Sequence, residues 1–185
     1  MPLLTHKFDV KQYHCMGETG ILDPEYHLEL IEGEIVVMSP IGLKHMVTIN
    51  RLNRFLGKRV GDRGILSIQN AIRLNDYSEP QPDVVILRSR DDMYAGKFPE
   101  AEDVLLLIEV ADSSLKSDRE VKLPLYAKHQ IPDVWIANLE SDVLEIYRKP
   151  ENDIFTQKTV ISQDNQQFSP LAFSDLFLIL PDIYG

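Results

Sequence analysis

The sequence predicts a mixed α/β domain with a central sheet flanked by helices. Three observations carry that expectation. Two apolar runs, "DVVIL" at 83–87 and "VLLLIEV" at 104–110, have the unbroken character of strands buried on both faces. Residues 43–59 space Met46, Ile49, Leu52, Leu56 and Val60 three or four apart, the period of an amphipathic helix. "DVWIANLESDVLEIYRK" reads as a hairpin turning near Glu140, Ser141 and Asp142. Strands therefore fill the middle of the chain and helices flank them. The 185 residues fit a single domain over 1–185, since domains commonly hold about 100 to 200 residues.

In chain order, an amphipathic helix is expected near 9–18, and "YHLELIEGEIVVMS" should form two short strands around a tight turn at Gly33. The helix over 43–59 follows, then short strands at 64–69, 70–74, 83–87 and 104–110. A helix over about 115–129 comes next. Pro124 inside it removes a backbone donor, which should kink the helix or delay its regular start. The hairpin at 133–149 follows, with weaker strand and helix signals to the C-terminus.

Composition narrows the function classes. With 44% hydrophobic and 26% charged residues the chain is of ordinary globular type, and its apolar runs stop far short of the roughly 18 residues a membrane helix needs. The first residues lack a basic segment followed by an apolar core, and the single cysteine, Cys15, cannot form an internal disulfide, so a cytoplasmic protein is expected. No Gly-rich phosphate loop, Cys/His zinc spacing or GxSxG elbow is present. A net charge of -10 argues at first against nucleic acid. Residues 43–74, however, carry seven basic side chains and one acid, Asp62. Lys44, Arg51 and Lys58 share a helix face, which fits either phosphate contacts or a solvated surface.

The remaining chemistry is a set of carboxylates at strand ends: Glu32 and Glu34 in "IEGEI", Asp83 opening one apolar strand, and Glu109 nearly closing another. Were those two strands neighbours, Asp83 and Glu109 would converge on a hard divalent cation such as Mg²⁺, which takes oxygen ligands. The cation would also stabilise an ionised Glu109 in apolar surroundings. The plainer alternative has Asp83 capping a turn after Pro82 and Glu109 in a salt bridge at the sheet rim. Asp118, Lys122 and Tyr126 fall at i, i+4 and i+8, on one helix face. They are either an exposed ion pair worth about 0.3–0.5 kcal/mol beside a packing tyrosine, or a device that returns Lys122 to the Glu109 strand end. His45 shares its face with Ile49, Leu52 and Leu56, so a satisfied, half-buried histidine is its first reading.

"QPDVVIL", then "LLLIEV", then a Lys and a Tyr four apart in "KLPLYAKHQIPDVWI", with "LELIEGEIVVMSP" and His45 upstream, resemble the Uma-type family of bacterial restriction endonucleases. That family is a branch of the PD-(D/E)XK nuclease superfamily, and the resemblance covers roughly residues 18–150. It implies a restriction-endonuclease-like fold, a mixed central sheet flanked by helices, and hydrolysis of DNA phosphodiesters with Mg²⁺ or Mn²⁺. By the same resemblance Asp83 and Glu109 are metal ligands, the Val110 carbonyl is a further one, and Glu34 is an additional acid, with Glu32 as its substitute. Ala111 stands where the superfamily lysine usually lies, and Lys122 matches the position from which the next helix supplies it. A homodimer, one copy per DNA strand, is a reasonable expectation. The competing expectation is a non-catalytic module that binds nucleic acid or protein, favoured by the acidity and by Ala111.

Overall fold

The computed structural model describes residues 5–185, so residues 1–4 of the expected domain lie outside the described residues. Helix α1, Val10–Glu18, starts where expected because Asp9 accepts from the Gln12 N–H and the Gln12 side chain answers on the Asp9 N–H, a capping box. Strands β1, Leu28–Ile31, and β2, Glu34–Val37, form a hairpin of their own rather than joining the main sheet. Its two-residue turn puts Glu32 and Gly33 at φ of 50° and 77°. Glycine is required at 33: a Cβ there would stand 2.7 Å from Lys7 Cβ.

The main sheet has six strands in the order β3 (Gly64–Ile68), β4 (Val84–Arg88), β5 (Val104–Ala111), β6 (Asp133–Asn138), β7 (Val143–Glu151) and β8 (Ile154–Ile161). Every pairing is antiparallel except β5 with β6. That parallel step needs a crossover. It is supplied by α3 (Leu115–Ser117), a π-helical turn (Asp118–Lys122) and α4 (Leu123–Lys128).

Both sheet faces are covered, which explains the unbroken apolar runs of β4 and β5. On one face helix α2, Leu43–Val60, packs Ile49, Leu52 and Leu56 against Ile86, Ile108 and Trp135. Phe168, Phe173 and the C-terminal helix α5, Leu180–Ile183, complete this layer. On the other face Leu125, Tyr126 and Ile131 pack on Leu107, Val134 and Ile136.

Two expectations need correction. Residues 70–74 are no strand, although Ile72 and Leu74 are buried. The Ile72 N–H donates to the Pro80 carbonyl, but Pro80 has no N–H to return, so the ladder does not propagate. On α2, Met46 is exposed and Phe55 is buried in its stead, because the covered stripe begins only at Thr48. The Pro124 expectation holds in a specific form. The proline ring crowds the carbonyl four residues back, and the turn just before it widens, the Leu123 N–H reaching Asp118 O five residues back.

Candidate active site

The β4–β5 register builds the centre. Val84 pairs with Ile108, and in an antiparallel ladder the same register sets Asp83 beside Glu109. Asp83 Oδ2 accepts the Val110 N–H at 2.8 Å and meets His45 Nε2, from the first turn of α2, at 3.1 Å. Glu109 faces the crossover helix, where the Tyr126 hydroxyl donates to its Oε1 at 2.5 Å. Lys122 Nζ stands 3.3 Å from the same oxygen and donates to Glu29 Oε1 at 2.9 Å. Glu29 also accepts the Gln81 N–H at 2.7 Å. All four groups are deep: Glu29, Asp83, Glu109 and Lys122 are 1, 6, 3 and 7% exposed.

These residues line a pocket of about 350 Å³. Asp112 and Asp118 join them, giving it five carboxylates with Lys122 and two histidines, His27 and His45. Asp118 makes no ion pair with Lys122; it accepts the Ser114 hydroxyl at 2.7 Å. The exposed-pair reading of Asp118 and Lys122 therefore fails, because the widened turn delivers both side chains inward.

One lysine facing this many carboxylates sets the electrostatics. Burial pushes Glu109 up to about 8; Lys122 opposes the shift, and the charges of Asp118, Asp83 and Glu29 add to it. Burial alone would lower the Lys122 pKa, but Glu109, Glu29 and Asp118 outweigh it and raise it. The ammonium thus stays charged while Glu109 holds a proton. Burial raises Asp118 in the same way, against Lys122 and Ser114. For His45 burial is overcome by the hydrogen bond and charge of Asp83, with Asp112 and Asp118 adding, and its pKa rises. Its Nδ1 is buried without a partner.

The structure brings Asp83, Glu109, the Val110 backbone, Lys122, His45 and Tyr126 together. Glu34 is not among them: its side chain is 70% exposed and pairs with Lys7 at 2.5 Å. Glu32 sits in the hairpin turn and pairs with Lys128 at 3.0 Å. The hairpin register sets Glu34 opposite Ile31 and Val36 opposite Glu29, so Glu34 shares the Glu29 face but lies at the turn end of the hairpin, and the upstream acid at the centre is Glu29. Its sequence signal is an acid inside "LELI", on the same strand face as Ile31. Lys44, Arg51 and Lys58 are exposed on α2, as a basic stripe requires, and Arg51 approaches the Pro181 carbonyl at 3.5 Å. Among the described residues no three His, Cys, Asp or Glu side chains are grouped as a ready metal cage. No helix among them is long and apolar enough to cross a membrane.

Known proteins share this outline. A crystal structure of a "putative nuclease belonging to DUF820" from Anabaena variabilis superposes with a TM-score of 0.72 at 16% identity, covering 96% of this chain and 97% of that one. At that identity the likeness is one of fold. No curated protein sequence matches. The family model Uma2, described as "Putative restriction endonuclease", matches residues 10–180. The chain therefore belongs to the Uma2 family.

Proposed function

We propose that this pocket is a metal-dependent phosphodiesterase site acting on DNA. The observation that carries the reading is the pair Asp83 and Glu109, set side by side at the floor of a pocket with more carboxylates than cations. Mg²⁺ commonly uses only one or two carboxylates and completes its shell with water and substrate phosphate, so this donor set fits without a three-acid cage. Asp83, Glu109 and the Val110 carbonyl are the groups that would hold Mg²⁺ or Mn²⁺, with Glu29 rather than Glu34 as the nearby acid. When bound, the ion supplies Lewis-acid stabilisation of charge developing on the phosphate.

The chain's own residues do the positioning. Tyr126 fixes the Glu109 carboxyl, and the Val110 N–H and His45 fix Asp83. Lys122, placed against Glu109 despite Ala111 at the usual lysine position, is the donor available to a phosphate or an attacking water. Calorimetric titration with Mn²⁺ tests the reading. Wild type should bind at one site, and Asp83→Asn and Glu109→Gln should each weaken it by roughly tenfold or more. Unchanged binding in both would remove the metal and favour the non-catalytic binding module.

The α2 stripe is the proposed path for the backbone, since Lys44 lies close in sequence to the pocket-lining Gly42 and adjoins His45. Changing Lys44, Arg51 and Lys58 to Gln should flatten the salt dependence of DNA binding by roughly one slope unit for each phosphate no longer neutralised. An unaltered slope would leave the stripe as a solvated surface. On duplex DNA a pair of copies, one per strand, is the assembly such a site would use, and light scattering reads it.

A further inference from the structure

We infer that Arg119 is a positioning residue: its fork on Glu145 of β7 holds the crossover turn so that Lys122 stays at the floor of the pocket. For its consequence on cleavage the inference rests on the phosphodiesterase reading above. Segment 112–124 carries that turn, and through Asp112, Ser113, Ser114, Ser117 and Asp118 it forms one wall of the pocket. No apolar side chain in the segment is fully buried; its two buried residues are Asp118 and Lys122. A stretch with so little buried carbon is of the kind that opens locally, so its polar ties decide how firmly it sits. Asp118 bonds to Ser114, inside the segment. Lys122 bonds to Glu29 and Glu109, groups of the centre itself. A tie made through the centre cannot hold the turn while those same groups engage an ion or a phosphate. The tie to the sheet outside the pocket is Arg119.

The geometry suits that role. Arg119 Nε and Nη2 donate to the two Glu145 oxygens at 3.1 and 2.7 Å, the bidentate form that fixes direction as well as distance. Glu109 pairs with Ile136, and Ile136 with Glu145, so the two glutamates stand in one row of the sheet on either side of β6. Lys122 reaches one and Arg119 the other, and the turn is tied down across β6. The anchor is itself fixed. Glu145 is buried and also accepts from the Tyr147 hydroxyl at 2.6 Å and from Lys158 at 3.0 Å. Burial raises its pKa, but the bonds from Arg119, Tyr147 and Lys158 outweigh burial and hold the carboxyl below its ordinary value. With Tyr147 and Lys158 in place, removing Arg119 leaves no unpaired buried charge, so the variant should fold.

Acetylation of the lysines in metal-free protein, read by peptide mass spectrometry, tests the inference without calling on activity. Lys122 is buried and should react slowly in wild type, relative to the exposed Lys11. In Arg119→Met that relative rate should rise roughly tenfold. Arg119→Lys keeps a charge for Glu145 but not the fork, and should fall between the two. Lys158→Met takes a cation from the same Glu145 but leaves the turn alone, so Lys122 should stay as protected as in wild type. On the same preparations Arg119→Met should bind Mn²⁺ nearly as wild type does, because Asp83 and Glu109 are untouched. Its kcat for DNA cleavage should fall roughly tenfold or more with KM little changed, since a displaced group costs rate rather than binding. Equal Lys122 labelling in wild type and Arg119→Met, equal deprotection by Lys158→Met, or an unchanged kcat in an active protein would overturn the inference. Faster labelling in Arg119→Met of a protein that cuts nothing with Mn²⁺ would leave the positioning of Lys122 standing and overturn the phosphodiesterase reading.

Discussion

Lys122→Met is expected to abolish Mn²⁺-dependent DNA cleavage and to destabilise the metal-free protein by about 3–5 kcal/mol at pH 8. The two effects share a cause. Lys122 is the cation at the floor against Glu29 and Glu109, with Asp118 near enough to act on its charge. Methionine has similar length but leaves those carboxylates buried and unopposed. Unfolding should be less affected at pH 5, where the carboxylates whose pKa is raised can take protons. Mn²⁺ should restore much of the lost stability, because its charge replaces the ammonium's, yet cleavage should stay down by orders of magnitude. Lys116→Met and Lys128→Met are the controls, since both lysines lie at the surface in ion pairs with Glu120 and Glu32. Urea unfolding and plasmid cleavage check the pair of effects. Equal cleavage by Lys122→Met and wild type would remove Lys122 from the chemistry.

Glu109→Gln should flatten the pH dependence of stability. The folded Glu109 pKa, near 8, lies above the ordinary value of 4.5. Between those values the folded state holds a proton that the unfolded chain has released. The associated stability is complete below about pH 4.5 and is lost as pH rises through about 8. At about 1.4 kcal/mol per unit, the group contributes roughly 3–5 kcal/mol across that window. Asp118 and His45, both raised, act with the same sign. The metal-free wild type should therefore lose stability from pH 5 to pH 8.5, and Glu109→Gln should lose markedly less. Saturating Mn²⁺ should also flatten the wild-type curve, since a divalent ion displaces the proton. Thermal unfolding at a series of pH values checks this, and parallel curves for wild type and Glu109→Gln would contradict it.

The parts of this fold that are legible in the sequence are those governed by local patterning. Buried strands announce themselves as apolar runs, as at 84–88 and 104–111, and α2 by its period. The register that sets Asp83 beside Glu109 is a tertiary outcome, and it shifts between Ile86 and Leu87 further along the same pair. Glu29 escapes a sequence reading because an acid alternating with leucines has the pattern of the solvent face of a half-buried strand. Only the packing of the separate β1–β2 hairpin over the pocket makes that face interior. The same hairpin leaves Glu34 at its turn end, opposite Ile31, where it pairs with Lys7 instead of reaching the centre. Tyr126 has the spacing of a packing residue; it is fully buried, and its hydroxyl is what meets Glu109. Pro124 foretells an irregular helix, although the widening that turns Asp118 and Lys122 inward is a tertiary outcome.

The central claim, that Asp83 and Glu109 form a working metal-dependent nuclease centre, is tested most directly by plasmid cleavage. Wild type and Asp83→Asn, purified in parallel, are incubated with supercoiled plasmid and Mg²⁺ or Mn²⁺, with and without chelator. Wild type should nick the plasmid, and the nicking should vanish with chelator and in Asp83→Asn. Cleavage at the same rate by both proteins, or none by wild type on plasmid or on single-stranded DNA, would contradict the claim.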